Sequence, residues 1–254
     1  MLSTAKIVSK ASEASTSKIV SKETEASTSK EQSQQLTSVK HLLVLDFEAN
    51  CDRNITLNPQ EIIEFPCIHL DLETTTVVNR FHRYVRPTVH THITPFCTEL
   101  TGIVQSMVEN QRTIDEVLNE FHNWLNDSNL LVEQSFDLSA SDHNATGQNS
   151  TLYDLRQDVA FLTCGDWDLK SALPRLCSYF GIEMPYYFKH WINIKRIFFN
   201  STRHWPSGMM EMLEILGTRH IGRHHSGIDD ALNIAEIAKR LYHRGANFQI
   251  TSRI

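Results

Sequence analysis

A dense apolar run near residue 42 constrains the fold of this 254-residue chain more than any other feature. Residues 42–45 read LLVL, and the run ends in the polar sequence DFE at residues 46–48. Four consecutive apolar residues followed by charged ones indicate a strand that is buried on both faces. The chain therefore predicts a central strand of a sheet that is covered by other elements on both sides.

The remaining pattern predicts an α/β fold with a mixed central sheet flanked by helices. Helical spacing of apolar residues is clear at 112–125, where five of them fall on one face. A Thr-Pro break at 94–95 predicts the start of a short helix. The other predicted elements are strands at 61–70, 76–86 and 159–164, and helices at 169–180, 208–216 and 229–243.

Two polar segments stand apart from this domain, which we place at residues 41–254. Residues 1–40 repeat the phrases KIVSK and EASTSK, and hold too little apolar surface to offset the entropy of ordering. We predict a disordered, low-complexity tail there. Residues 133–156 are rich in Ser, Asn and Asp, and predict a polar surface loop.

Composition and charge limit where the chain acts and what it binds. No run approaches the roughly 18 apolar residues of a membrane span, and the N-terminus lacks the apolar run of a secretory signal. Five cysteines without CxxC spacing indicate reduced thiols. We expect an intracellular protein of the cytoplasm, the nucleus or both, with no membrane partner.

The net charge of −6 conceals an uneven distribution along the sequence. Residues 189–254 carry ten Lys and Arg against five Asp and Glu, whereas residues 41–188 are strongly acidic. This distribution is compatible with a cation site next to a phosphate-binding surface, but charge alone favours a solvated surface that has no partner.

The first candidate functional residues are Asp46 and Glu48, which follow the apolar strand. The two-residue period of a strand places both carboxylates on one face. Carboxylates beside a buried strand are costly unless they are paired or bind a cation. The alternative interpretation is a solvated strand end.

Asp168 follows the predicted strand at 159–164 through a turn that contains glycine. It can approach the first pair if the two strands are neighbours; otherwise it is a helix N-cap, and Asp166 competes for either role.

His225 and Asp230 lie at the start of the last predicted helix. The alternatives are an ordinary surface histidine and a first-turn carboxylate favoured by the helix dipole, and Asp229 fits the second description equally well.

Together these segments supply four carboxylates and one imidazole. Carboxylate oxygens are ligands suited to Mg²⁺ or Mn²⁺, and two such ions can stabilise both the attacking and the leaving oxygen of a phosphodiester. A histidine beside them has a pKa suited to removing a proton from water.

The order and spacing of these residues resemble the DEDDh, or DnaQ-like, exonucleases, and within them the subfamily of enhanced-RNAi and histone-mRNA exonucleases. The resemblance extends over about residues 41–252. The segments that carry it are 45–51 (LDFEANC), 60–66 (QEIIEFP), 94–103 (TPFCTELTGI), 163–169 (TCGDWDL) and 225–230 (HSGIDD).

The resemblance implies an RNase H-like fold, two Mg²⁺ ions that Mn²⁺ can replace, and 3′→5′ polarity. It implies that Asp46 bridges the metals, that Glu48, Asp168 and Asp230 complete their coordination, and that His225 is the general base. The family spacing selects Asp168 and Asp230 over their neighbours. The residues implied to line the pocket of the terminal nucleotide are Phe47, Ala49, Leu100, Thr101 and Trp167.

The function implied is hydrolysis of single-stranded RNA from its 3′ end, with release of nucleoside 5′-monophosphates. Two alternatives remain at this stage: a 3′ exonuclease that acts on DNA, and an adaptor that binds RNA or protein without cleaving. The histone-mRNA enzymes of the family carry a nucleic-acid-binding domain before the nuclease, and residues 1–40 are too short and polar to form one.

Overall fold

A mixed seven-stranded sheet forms the centre of the protein, whose computed structural model describes residues 38–135 and 151–254. Two further strands, β5 and β6, pair with each other in a separate small sheet. In chain order the strands are β1 (His41–Leu45), β2 (Glu48–Ala49), β3 (Ile62–Asp71), β4 (Thr76–Tyr84), β5 (Leu131–Ser135), β6 (Thr151–Leu155), β7 (Val159–Thr163), β8 (His190–Asn193) and β9 (Ser252–Arg253).

The pairing of the strands brings several strand ends to one edge of the sheet. Strand β3 pairs antiparallel with β4 along one side and with β1 and β2 along the other. Strand β7 is parallel to both β1 and β8, and β9 closes the sheet antiparallel to β8. Because β1, β7 and β8 run in the same direction, the residues that follow them lie at the same edge.

Helices cover both faces of the sheet. A single π-helical turn, Asp168–Ala172, leads directly into α4. Among the described residues, no helix has the length and apolar character that a membrane crossing requires. The helices are α1 (Pro95–Thr101), α2 (Gln105–Val108), α3 (Ile114–Asp127), α4 (Leu173–Phe180), α5 (Ile194–Thr202), α6 (Met209–Ile215) and α7 (Gly227–His243).

Strand β1 separates two hydrophobic core layers, as its sequence predicts. Leu43 and Leu45 point into the layer that α3 and α4 cover, and Leu42 and Val44 point into the layer that α5, α6 and α7 cover. All four side chains are fully buried. The alternation follows from the two-residue period of a strand, so each face of β1 holds one helical layer in place.

Most of the predicted elements are present, and several observed elements were not predicted. Strands β1, β3, β4 and β7 and helices α1, α3, α4, α6 and α7 lie where the sequence predicts them. The unpredicted elements are the short β2 and α2, the strands β5 and β6, and β8, α5 and β9. Strand β8 has only four residues and continues into α5 without a Gly or Pro to mark the boundary, so the sequence carries no turn signal there.

The predicted polar segments are only partly within the described residues. The predicted loop at 133–156 is wrong at its two ends, which form β5 and β6, while residues 136–150 lie outside the described part. These strands were missed because their many polar side chains do not show the apolar–polar alternation that indicates a strand. Residues 1–37 of the predicted tail also lie outside the described part. Residues 38–40 lead into the sheet, where the Lys40 amide donates a hydrogen bond to the Asp158 carbonyl.

Substitution of Phe121, in α3, tests how the core layer covered by α3 and α4 stabilises the fold. Its ring is fully buried and lies 4.9 Å from Phe65, 6.2 Å from Phe161 and 5.7 Å from Phe188, between centroids. Phe121→Ala should lower the free energy of unfolding by about 3–5 kcal/mol, because it removes these contacts and leaves a cavity. Urea denaturation measures the change. Phe199→Ala, at a ring that is 38% exposed, is the control and should cost far less; equal losses would contradict this account of the core.

Candidate active site

Asp46 and Glu48 lie where β1 ends at the common edge of the sheet. Asp46 follows the last residue of β1, and Glu48 begins β2 opposite Glu64 of β3. Glu48 is buried, whereas Asp46 keeps partial exposure. The backbone between them is fixed by a hydrogen bond, in which the Phe47 amide donates to Asp168 Oδ1 over 2.9 Å. The backbone between the two predicted carboxylates therefore contacts a third carboxylate from a distant part of the chain.

Asp168, and not Asp166, joins this cluster. Because β7 is the parallel neighbour of β1, the π-helical turn after β7 carries Asp168 to the same edge, where it is 4% exposed. Asp166 points elsewhere: its Oδ1 accepts hydrogen bonds from Trp191 Nε1 (3.0 Å) and the Ser252 hydroxyl (2.7 Å). Local spacing left this choice open and the family resemblance selected Asp168; side-chain direction is the physical reason for that selection.

The N-terminal turn of α7 contributes Asp230, and not Asp229. Asp230 is 4% exposed, and its Oδ2 accepts the backbone N–H of His225 over 2.9 Å. Asp229 instead accepts the backbone N–H of Arg223 over 2.8 Å and so holds the preceding loop. Glu48, His225 and Asp230 each offer one ligand atom, and these atoms lie within 4.8 Å of one another.

His225 adopts a backbone conformation that is unusual for a residue with a side chain. Its φ is 66°, in the left-handed region, and such strain is found mainly where surrounding structure enforces it, often at functional sites. The burial of its ring and the neighbouring His224 lower the pKa of His225. A lowered pKa keeps the imidazole neutral near pH 7, the form that can accept a proton.

A fifth buried carboxylate, Glu64, was not predicted. It is 1% exposed, accepts the amides of Gly227 (2.9 Å) and Ile228 (3.2 Å), and contacts His82 Nε2 at 2.8 Å. It therefore fastens the N-terminus of α7 to β3. The available signal was a charged residue within the otherwise apolar sequence of β3, IIEFPCIHL.

Gly227 allows α7 to approach the sheet closely. A Cβ atom at this position would lie 2.6 Å from the carbonyl oxygen of Asp46. Only a residue without a side chain fits there, so the glycine is what brings the first turn of α7, with Asp230, beside the end of β1.

Burial raises the pKa values of three carboxylates of the cluster, and repulsion from neighbouring carboxylates adds to the shift at Asp46 and Glu48. Burial raises the pKa of Glu48 to about 9, with further contributions from Glu64, Asp230 and Asp168. Burial also raises the pKa of Asp168 to about 6, although the hydrogen bond from the Phe47 amide opposes the shift. The pKa of Asp46 lies well above its usual range, chiefly through burial and then through Asp168 and Glu48. Such a cluster favours either bound protons or bound cations.

These groups fit the divalent ions that the sequence implies. Their carboxylate oxygens come from three separate segments, and one imidazole stands beside them. Oxygen donors are the ligands that hard divalent cations prefer, and a positive ion would offset the burial and the repulsion that raise the carboxylate pKa values.

Among the five residues predicted to line a nucleotide pocket, three have buried side chains. Phe47 packs in the core with its ring 4.6 Å from that of Phe65. Ala49 and Thr101 are 6% and 2% exposed, and the Thr101 hydroxyl donates to the carbonyl of Cys97 over 2.9 Å.

Leu100 and Trp167 are the accessible members of the predicted pocket. Leu100 is half-buried, and Arg223 donates hydrogen bonds to the carbonyls of Leu100 and Glu99, which ties α1 to the loop before α7. Trp167, next to Asp168 in the chain, is 41% exposed. It lines an open groove of about 780 Å³, together with residues 56–60 and 171–179.

Comparison with known proteins agrees with this geometry. An exonuclease family model, of the RNase T type, matches residues 43–147 and 146–238. ERI1 exoribonuclease 3 of Homo sapiens is 44% identical over 214 residues, which cover 84% of this chain and 57% of that protein. The chain thus spans a little over half the length of this curated relative.

Two solved structures share the fold. The nuclease domain of 3′hExo, a DEDDh family member bound to rAMP, has a TM-score of 0.71 and 29% identity, covering 86% of this chain and 99% of that one. A 3′-exonuclease structure describing 3′-end recognition of the histone mRNA stem-loop has a TM-score of 0.72 and 30% identity, covering 86% and 88%. These likenesses confirm the predicted RNase H-like sheet. The chain belongs to the RNase T family of exonucleases and resembles its DEDDh members.

Proposed function

We propose that this protein is a metal-dependent 3′→5′ exoribonuclease that removes nucleotides singly from RNA and releases nucleoside 5′-monophosphates. One observation carries the proposal: Asp46, Glu48, Asp168 and Asp230, from three separate segments, gather at one edge of the sheet with His225 beside them. Holding four carboxylates together lowers the stability of the fold unless cations are bound. Cations bound there could act on a phosphodiester.

The relatives support RNA as the substrate. The curated relatives include proteins named 3′-5′ exoribonuclease 1 and ERI1 exoribonuclease 3, and one solved neighbour is a 3′-exonuclease that recognises the 3′ end of a histone mRNA stem-loop. Another neighbour holds rAMP, a ribonucleoside monophosphate. These ligands and names belong to the relatives, and we extend them to the domain that this chain shares with them.

In the proposed mechanism, the four carboxylates would hold two Mg²⁺ ions, for which Mn²⁺ can substitute. Bound ions would neutralise the scissile phosphate and assist ionisation of the attacking water. His225, kept neutral by its lowered pKa, accepts the proton of that water. Glu64 positions α7, and with it Asp230, through the Gly227 and Ile228 amides.

The terminal nucleotide would lie against the wall formed by Phe47, Ala49, Leu100, Thr101 and Trp167. Trp167 is the exposed aromatic residue among them, and stacking of a base on an aromatic ring contributes roughly 1–3 kcal/mol without sequence preference. This supports release of any terminal nucleotide. Discrimination between RNA and DNA would depend on contacts to the 2′-hydroxyl.

The first prediction concerns the reaction itself. With Mg²⁺ or Mn²⁺, the protein should shorten 5′-labelled RNA stepwise and release labelled mononucleotide at once from 3′-labelled RNA. EDTA should stop the reaction, and Asp46→Asn should slow it at least about 100-fold, since a lost ligand removes several kcal/mol of transition-state stabilisation. Asp115→Asn, at an exposed residue of α3, is the control. Hydrolysis that persists in EDTA would reject the proposal, and faster hydrolysis of a matched DNA strand would change the substrate.

The second prediction separates the base from the metal ligands. His225→Ala should lower kcat by about 10²–10⁴-fold, the range of general-base catalysis, while Mn²⁺ affinity changes little. Titration calorimetry with Mn²⁺ measures the affinity alongside the rates. A collapse of Mn²⁺ binding would show that His225 is a metal ligand instead of a base. That outcome is physically accessible, because a ring nitrogen of His225 lies within 4.8 Å of oxygens of Glu48 and Asp230.

The third prediction concerns stability against pH without metal. Folding raises the pKa of Glu48 from an ordinary 4.5 to about 9, so the folded protein keeps a proton that the unfolded chain loses. Stability in EDTA should therefore fall as pH rises through this window, by at least about 1 kcal/mol between about pH 5 and pH 8. Urea denaturation should show a smaller slope for Glu48→Gln, while Glu73→Gln, an exposed partner of Lys40, keeps it. An unchanged slope in Glu48→Gln would contradict this electrostatic account.

A further inference from the structure

Two histidines that the proposed hydrolysis does not use converge on the carboxylate of Asp230. His220 Nε2 lies 3.0 Å from Asp230 Oδ1, and His224 Nδ1 lies 3.0 Å from Oδ2. One ligand atom from each of the three residues lies within 4.8 Å of the others. The two imidazole rings are 5.7 Å apart between centroids and nearly perpendicular, at 68°. Two nitrogens and one oxygen thus surround a small volume beside the carboxylate cluster.

The loop that carries these histidines is held in place by α7. Asn233 of α7 accepts the Ile221 amide over 3.0 Å and donates to the Ile221 carbonyl over 2.8 Å. Asp229 accepts the Arg223 amide, and Gly222 turns the chain between them with a φ of 84°. The loop is therefore fastened on both sides of its turn, so the approach of the histidines to Asp230 does not depend on a freely moving segment.

The three donors match the coordination of zinc more closely than that of magnesium. Zinc takes histidine nitrogen and carboxylate oxygen at about 2.0–2.2 Å in a tetrahedron, which places ligand atoms roughly 3.3 Å apart. Each imidazole nitrogen lies 3.0 Å from one oxygen of Asp230, and one ligand atom from each residue lies within 4.8 Å of the others, so small side-chain rotations suffice to reach that spacing. Magnesium prefers six oxygen ligands, whereas imidazole favours zinc and its neighbours in the transition series. The side chain of His224 is 43% exposed, so water can reach a fourth position.

We propose that His220, His224 and Asp230 form a binding site for a transition-metal ion of the Zn²⁺ type, distinct from the ions that the carboxylate cluster would hold. Asp230 belongs to both groups, because its carboxylate also lies within 4.8 Å of donor atoms of Glu48 and His225. The ring of His224 further stacks on that of His225, with centroids 3.9 Å apart. An ion on the histidine side therefore withdraws Asp230 from the cluster and restrains His225.

The expected consequence is inhibition of Mg²⁺-dependent hydrolysis by Zn²⁺, and this part of the proposal rests on the proposed function. The binding of a metal ion by the two histidines and Asp230 is independent of that function. The competing explanation is that the two imidazoles only donate hydrogen bonds that orient Asp230, as outer partners of metal ligands commonly do. The two explanations differ in whether the histidines bind an ion.

Co²⁺ tests the site directly, as a spectroscopic substitute for Zn²⁺, on the full chain in excess Mg²⁺. We expect the intense visible bands of tetrahedral Co²⁺, which one equivalent of Zn²⁺ removes. His220→Gln and His224→Gln should each weaken Co²⁺ binding by more than about 100-fold, since even outer partners contribute 10–100-fold. His243→Gln, at an exposed histidine of α7, is the matched control and should bind Co²⁺ as the parent does. Glu48→Gln should also keep the bands, because Glu48 belongs only to the carboxylate cluster.

The outcomes separate the two proposals. Octahedral spectra alone, or full Co²⁺ binding by both histidine variants, would overturn the metal site. In the RNA assay, each protein is compared with its own zinc-free rate, and His224→Gln should need at least about tenfold more Zn²⁺ for half inhibition. Equal zinc sensitivity in the parent and in His224→Gln would overturn the inhibitory role. If the zinc-free protein hydrolyses no RNA, the proposed function fails and the Co²⁺ spectra alone decide the metal site.

Discussion

The burial of like-charged carboxylates beside one another is the constraint on which the rest of the structure depends. Glu48, Asp168 and Asp230 are buried beside the partly exposed Asp46, and burial, with repulsion from the neighbouring carboxylates, raises the pKa of Glu48 to about 9. Such an arrangement costs stability unless protons or cations compensate for it. The fold must therefore supply the rigidity that keeps these groups together, and the two fully buried layers around β1 supply it.

Two residues, Glu64 and Gly227, hold the first turn of α7 against the edge of the sheet where the carboxylates lie. Glu64 accepts two amides at the start of α7, so that free N–H groups and the positive end of the helix dipole face a carboxylate. Gly227 lets the helix backbone approach the carbonyl of Asp46. Without the hydrogen bonds of Glu64 and the close approach at Gly227, Asp230 would lie further from the other carboxylates. Glu64 therefore acts on the site by positioning the helix.

Asp230 has three histidine residues as hydrogen-bonding partners, two through their rings and one through its backbone amide. One side of it faces Glu48 and His225, and His220 and His224 approach its two oxygens from the loop before α7. A hard cation favours the carboxylate group, whereas a borderline cation favours the imidazoles. Under the two proposals, the same side chain would support hydrolysis with one class of ion and bind another.

The sequence alone determined the buried central strand, the amphipathic α3 and α7, and the residue types of the site, because these depend on local periodicity and spacing. It also determined the family, through motifs in a fixed order. Local spacing left Asp166 and Asp229 as alternatives to Asp168 and Asp230, and the family resemblance selected the latter pair. Tertiary structure alone supplies the physical reason: Asp168 and Asp230 point into the cluster while Asp166 and Asp229 bind elsewhere, because side-chain direction depends on partners distant in sequence. It also brought in Glu64, whose role exists only once β3 meets α7, a contact between residues 163 positions apart that no local pattern encodes.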